Sequence, residues 1–207
     1  MTEAVIVATA RSPIGRAAKG SLVDLRPDDM TAQIVKALLA KVPEVDPNTV
    51  EDLILGCGQP AGEAGFNMAR VVAILSGMPD VPGTTVNRYC SSSLQTIRMA
   101  AHAIKAGEGD VFIAAGVEAV SRYGSGASDT APNPVFKPAG ERTRQRAEGG
   151  ADVWSPAEGL PDIYIAMGQT AENVAQYKDV SREAQVEFAV LSQNRAVAAV
   201  ESGFWAE

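Results

Sequence analysis

The sequence predicts an α/β fold with a largely parallel sheet, and three observations carry that reading. From residue 1 to about 120, short runs of Val, Ile, Leu and Ala alternate with longer runs at helical spacing. The short runs are almost continuously apolar, as strands covered on both faces are. Gly and Pro separate the runs at nearly every junction.

The elements follow in order. Thr2 to Ala8 reads as a first buried strand, broken by Ser12, Pro13 and Gly15. From Asp28 to Leu39, Met30, Ile34, Val35, Leu38 and Leu39 recur at helical spacing. Asp28 and Asp29 sit in the first turn, where acids suit the helix dipole, and Pro43 and Pro47 end the region. Leu53 to Leu55 is a short strand stopped by Gly56 and Gly58. A second helix runs from Asn67 to Leu75, with Gly77 as its stop. Thr84 to Val86 is the third strand. Ser91 to Ala106 is the third helix, with Leu94, Ile97, Ala101 and Ile104 as its expected inner face and Gly107 at its end. Val111 to Val117 is the fourth strand, which completes a βαβαβαβ order.

After Ser121 the composition shifts. Residues 124–162 are rich in Gly, Ser, Pro and charge, with little periodicity. Two helical runs follow, Met167 to Gln176 and Ser181 to Ser202, the second with Ser181 as N-cap. The expected organisation is a core over 1–120 and a looser, partly helical region over 121–207. The chain stops at GFWAE with no strand leading back to a core, so it reads as part of a longer polypeptide.

Composition narrows the function. A chain of 207 residues, 46% hydrophobic, can bury one sizeable core. A net charge of -7 and the absence of a Lys/Arg run argue against nucleic acid. No apolar run reaches the ~18 residues that a membrane span needs. The N-terminus lacks a basic leader and reads as a strand, not a signal peptide. Two cysteines, Cys57 and Cys90, make no disulfide framework in a chain this long. Without CxxC or a His/Cys cluster no metal site is expected, and a reducing, cytoplasmic setting is the default.

Cys90 is the residue with chemistry in it. It falls between the third strand and the third helix, at the strand's carboxyl end, where open parallel sheets bind ligands. A helix N-terminus offers free N–H groups and a positive partial charge, a seat that favours thiolate over thiol. Ser91, Ser92 and Ser93 are small and leave room for a substrate. Residue placement alone leaves two readings open, a nucleophile or a buried structural cysteine. Cys57, between two glycines, reads as structural. Gly56, Gly58 and Gly62 miss dinucleotide-loop spacing by one residue and read as a turn. Gly124-Ser125-Gly126 lacks the strand and helix of a nucleophile elbow. His102 lies twelve residues past Cys90 in the same helix, roughly 18 Å away, too far to deprotonate that sulfur. It reads as a surface or packing residue.

VNRYCSSSLQTI, Val86 to Ile97, resembles the acyl-enzyme cysteine motif of thiolases, the acetyl-CoA C-acyltransferases. Five further blocks resemble the same family in order: AVIVATARSPIGR near the N-terminus; GEAGFNMAR, Gly62 to Arg70; AAGVEAVSR, Ala114 to Arg122; MGQTAENVA, Met167 to Ala175; and SREAQVEFAVLSQNRA, Ser181 to Ala196. The resemblance implies a thiolase fold, two similar βαβαβ-type halves with a loop domain inserted in the first. It implies that Cys90 takes the acyl group of a 3-ketoacyl-CoA and passes it to CoA, or runs the reverse condensation. Coenzyme A is then a substrate, and no cofactor is bound covalently. Met167 falls in the segment that would line the pantetheine channel. Ser93 stands where many relatives have Gly, and could narrow the acyl pocket. Ala166 stands where many biosynthetic relatives have His, which tilts the expectation toward degradation.

Members of that family run to about twice this length. Their second half supplies an activating histidine, a second cysteine and an Asn/His oxyanion site, and those motifs are absent here. The 207-residue chain is therefore expected to be inactive alone. The expected partners are acyl-CoA and CoA, the missing C-terminal half, and further copies in a dimer or tetramer. An exposed apolar face should mark the missing half. Two other readings stand beside this one: a non-catalytic thiolase-like domain for acyl-CoA or lipid binding or for assembly, and a relative of the ketoacyl or hydroxymethylglutaryl-CoA synthases.

Overall fold

Asp52–Gly56 (β1) is the middle strand of a parallel three-stranded sheet, with Gly83–Val86 (β2) on one side and Phe112–Gly116 (β3) on the other. The computed structural model describes residues 3–125, 128–149, 160–161 and 163–204. Leu53 pairs with Gly83 and with Ile113, and Gly56 pairs with Val86 and with Gly116. All three strands therefore end level at their carboxyl ends. The residues form two units, Met1–Thr130 and Ala131–Glu207.

In the first unit, Pro27–Ala40 (α1), Met68–Leu75 (α2) and Ser92–Ala106 (α3) cover the sheet. Side chains of a strand alternate between its faces. Leu53, Leu55 and Cys57 join Ala32 and Val35 of α1 and Met68, Val72 and Ala73 of α2 in one buried cluster. Gly56 lies against the first residues of α3 on the other face. Burial on both faces explains the unbroken apolar run of β1. Asn67 links α2 to β2. Its Nδ2 donates to Gly83 O at 2.7 Å, and its Oδ1 accepts from Thr85 N at 3.1 Å. Thr85 Oγ1 in turn accepts the Ala69 N–H at 2.9 Å, so a neighbouring strand caps α2.

Two expectations are corrected. Residues 3–8 of the first expected strand join no ladder, and Val5, Ile6 and Val7 are exposed. They lie instead across from the β3 edge, where residues 4–12 and β3 flank an open groove of about 640 Å³. No strand among the described residues fills it, so the segment has no ladder partner. The inner face of α3 also differs. Ser92, Thr96 and Ala100 are buried, whereas Leu94 and Ile97 are 67% and 44% exposed. The helix lies so close to the sheet that only small residues fit beneath it. Ile97, Ala101 and Ile104 turn to the groove instead.

The second unit is helical: Lys137–Ala147 (α4), Met167–Lys178 (α5) and Arg182–Glu201 (α6). Ser181 Oγ accepts the Ala184 N–H at 3.2 Å, the N-cap the sequence predicts. Helix α4 was not expected, because KPAGERTRQRA has no apolar stripe. Arg144 supports it locally, through Glu141 at 2.5 Å and Glu148 at 2.6 Å. Within this unit Arg146 donates to Asn173 at 3.0 Å, and the Phe136 and Tyr164 rings meet edge-on at 5.6 Å. Phe188, Val197, Val200 and Phe204 are exposed.

An ion-pair chain fastens the loops of the first unit. Arg26 forks onto the buried Asp28 at 3.0 and 2.7 Å and reaches Glu63 at 3.3 Å. Arg122, past β3, grips both oxygens of Glu63. The hydrogen bond from Arg122, then the charges of Arg122 and Arg26, hold Glu63 below the usual carboxylate range against its burial. Burial raises Asp28, but the bonds from Arg26 and the Asp29 N–H, with the Arg26 charge, outweigh it and leave Asp28 low. Both carboxyls titrate lower folded than unfolded. Their stabilisation is complete above the ordinary carboxylate range, about pH 4, and is lost as pH falls through the lowered folded values. Arg122→Ala is therefore expected to flatten the acid limb of a plot of urea midpoint against pH. An acid limb as steep as that of the unaltered chain would refute the linkage.

Candidate active site at the carboxyl edge of the sheet

Val86 ends β2, and a short 3₁₀ turn, Tyr89–Ser91, leads into α3. Cys90 is the middle residue of that turn, exposed and free. The turn is held by side chains. Asn87 Oδ1 accepts the Tyr89 N–H at 2.7 Å. Ser92 Oγ accepts the Arg88 N–H at 2.9 Å and donates to Tyr89 O at 2.6 Å. Tyr89 lies in the left-handed region, with φ of 45°.

Directly after it, the first turn of α3 rests on the strand ends. A Cβ on Gly56 would lie 2.5 Å from the Ser92 carbonyl carbon, and one on Gly116 would lie 2.6 Å from Ser93 Cβ. Neither contact is possible for any residue but glycine, so the two glycines permit the close approach. Thr96, fully buried, donates to Ser93 O at 2.7 Å and lies 3.1 Å from Ala115 O, which stitches α3 to β3. Gly56, read from sequence as part of a turn, thus serves as the floor under the cysteine turn.

Past β3 the chain adds two groups that sequence reasoning missed. Glu118 accepts the Gly58 N–H at 2.8 Å and lies 4.0 Å from Cys57 Sγ. Burial, then the hydrogen bond to Glu118 and its charge, push the Tyr123 phenol up to about 12, with Cys57 and Cys90 close enough to add to the effect. Tyr123 is therefore a neutral phenol across the physiological range. Burial also pushes the Cys57 thiol up, which fits an inert core cysteine. The available signal for Glu118 was its position, two residues beyond the carboxyl end of a parallel strand.

The other named residues are dispersed. Ser93 is the second residue of α3 and lines the groove beside Gly116. His102 is exposed on α3. Met167 opens α5 in the second unit and is exposed, with Ala166 at the N-cap before it. Gly126, of the discounted Gly-Ser-Gly run, lies outside the described residues. Among the described residues no group of three His, Cys, Asp or Glu could hold a metal, and no helix is long and apolar enough to cross a membrane.

Residues 4–207 match the family model described as thiolase, N-terminal domain. The chain is 43% identical to a 3-ketoacyl-CoA thiolase of Bacillus subtilis (strain 168), over 98% of this chain and 47% of that protein. It is 41% identical to a 3-oxoadipyl-CoA/3-oxo-5,6-dehydrosuberyl-CoA thiolase of Escherichia coli (strain K12), over 100% of this chain and 51% of that protein. A beta-ketoadipyl-CoA thiolase of Acinetobacter baylyi is 43% identical over 100% and 51%. The chain spans about half the length of these curated relatives.

The glycine floor can be tested. Gly56→Ala places a methyl against the α3 backbone and should cost roughly 1–3 kcal/mol, the usual cost of overpacking, read as a lower urea midpoint. Gly124→Ala, with open space around it, is the control and should leave the midpoint in place. Equal midpoints for the two variants would mean the close approach is not a constraint.

Proposed function

The chain belongs to the thiolase family, through its N-terminal domain, and from that premise we propose that it is the nucleophile-bearing half of a CoA-dependent acyltransferase. The single observation that carries this reading is Cys90, an exposed free thiol on a braced turn at the carboxyl edge of a parallel sheet. In thiolysis the Cys90 sulfur attacks the keto carbon of a 3-ketoacyl-CoA. The bond between the α and keto carbons breaks, and acetyl-CoA leaves once its α carbon takes a proton. The acyl group stays on Cys90 as a thioester, and the thiol of a second CoA then displaces it as acyl-CoA. The covalent intermediate splits one hard step into two.

The proton carriers for these steps belong to the part of the protein beyond this chain, so the chain alone is inactive. The groove beside β3 supports this. Its walls include Val5, Val7, Ile34, Leu38, Ile97 and Ile104, an apolar surface that requires cover. The reading places Met167 and Ser93 along the CoA and acyl path, the thiols in a reducing cytoplasm, and the whole protein in a dimer or tetramer. Ala166 favours degradation of 3-ketoacyl-CoA, the substrate class in the relatives' names.

Two experiments test the proposal. In the full-length protein, Cys90→Ala should lower thiolysis roughly a thousandfold or more, as loss of a covalent nucleophile does. Retained activity would exclude Cys90 as nucleophile and favour a binding or assembly domain. Addition of the C-terminal half to this chain should slow amide exchange at residues 4–12 and in β3. If exchange there is unchanged while the halves bind, the groove is not the docking place.

A further inference from the structure

We propose that Tyr89, Asn87 and Ser92 are positioning residues that hold Cys90 outward by locking the residue before it in a left-handed backbone. This inference rests on the reading of Cys90 as nucleophile. A left-handed backbone is unfavourable for a tyrosine and needs support from its surroundings. Here it has that support on both sides of the residue. The Tyr89 N–H is taken by Asn87 Oδ1 at 2.7 Å, and Tyr89 O receives the Ser92 hydroxyl at 2.6 Å. Ser92 is 5% exposed, and its oxygen also takes the Arg88 N–H at 2.9 Å. One buried hydroxyl thus bridges the residues on either side of the Arg88–Tyr89 peptide bond. The 3₁₀ turn that Tyr89 opens places Cys90 just before α3, exposed, while Ser92 and Ser93 after it rest on the sheet. Strain of this kind persists where the rest of the structure over-determines it, and the turn meets that condition.

The test is the rate of iodoacetamide alkylation at Cys90 in this chain, resolved by peptide mapping, against the rate of a peptide spanning residues 86–97. Cys57, buried, reports global loosening in the same molecules. The unaltered chain should react faster than the peptide. Tyr89→Val, β-branched and poorly suited to the left-handed region, should lower the Cys90 rate about tenfold, the factor equivalent to the ordinary left-handed penalty. Ser92→Ala should lower it in the same direction. Tyr89→Gly removes the ring and keeps the backbone freedom, so it should retain the rate. A merely structural role would raise Cys57 labelling in the variants, which the proposal says stays low. If the unaltered chain is fast and Tyr89→Val equally fast, the positioning role is overturned and the nucleophile reading stands. If the unaltered chain is no faster than the peptide, the reading beneath it falls as well.

Discussion

The first turn of α3 lies against the carboxyl ends of β1 and β3 at a distance that admits no Cβ on Gly56 or Gly116. That contact sets the height of the whole cysteine turn above the sheet. It also determines the composition of the helix face beneath it, Ser92, Thr96 and Ala100, all small and all buried. With so little space, packing there is backbone to backbone. Hydroxyls then do what large apolar side chains do elsewhere: Thr96 ties the helix to Ala115, and Ser92 ties the turn to itself. Asn87, Ser92 and Thr96 each hold fixed hydrogen-bond partners, which stiffens the site.

The loops around the turn are organised by charge. Arg122 and Arg26 converge on Glu63, and Arg26 also neutralises the buried Asp28. These pairs bring the segment after β3, the 62–64 turn and the start of α1 to one place. Glu118 and Tyr123 are carried on the segment that Arg122 anchors, Glu118 close to Cys57 and Tyr123 close to both cysteines. The two thiols are thereby separated in character: Cys57 is enclosed and inert, and Cys90 is presented to solvent.

The same sheet that supports the cysteine is open on its other flank. Beside β3, an apolar groove is lined by that edge strand and by residues 4–12, which join no ladder among the described residues. The proposed need for a second half follows from that flank as much as from missing proton carriers. On the proposed reading, this chain carries the covalent step and relies on another half for the rest.

Much of this was legible in the sequence. Apolar runs punctuated by glycine placed β1, β2, β3 and their helices to within a few residues, because those patterns report local periodicity and local breaks. The strand–turn–helix junction at Cys90 was readable for the same reason. Other features depend on what lies across space. Val5, Ile6 and Val7 have the composition of a strand, but a strand exists only with a ladder partner, and none is beside them. Leu94 and Ile97 have helical spacing, but the close approach of α3 gave its buried face to smaller residues. The left-handed backbone of Tyr89 carries no local signature, and the position of Glu118 past β3 does not show that its carboxylate meets Cys57. Sequence alone determined the order of β1, β2, β3 and their helices and the strand–turn–helix junction that carries Cys90. Only tertiary structure decided which residues are exposed, which are locked and which meet, because those outcomes depend on contacts between residues far apart in the chain.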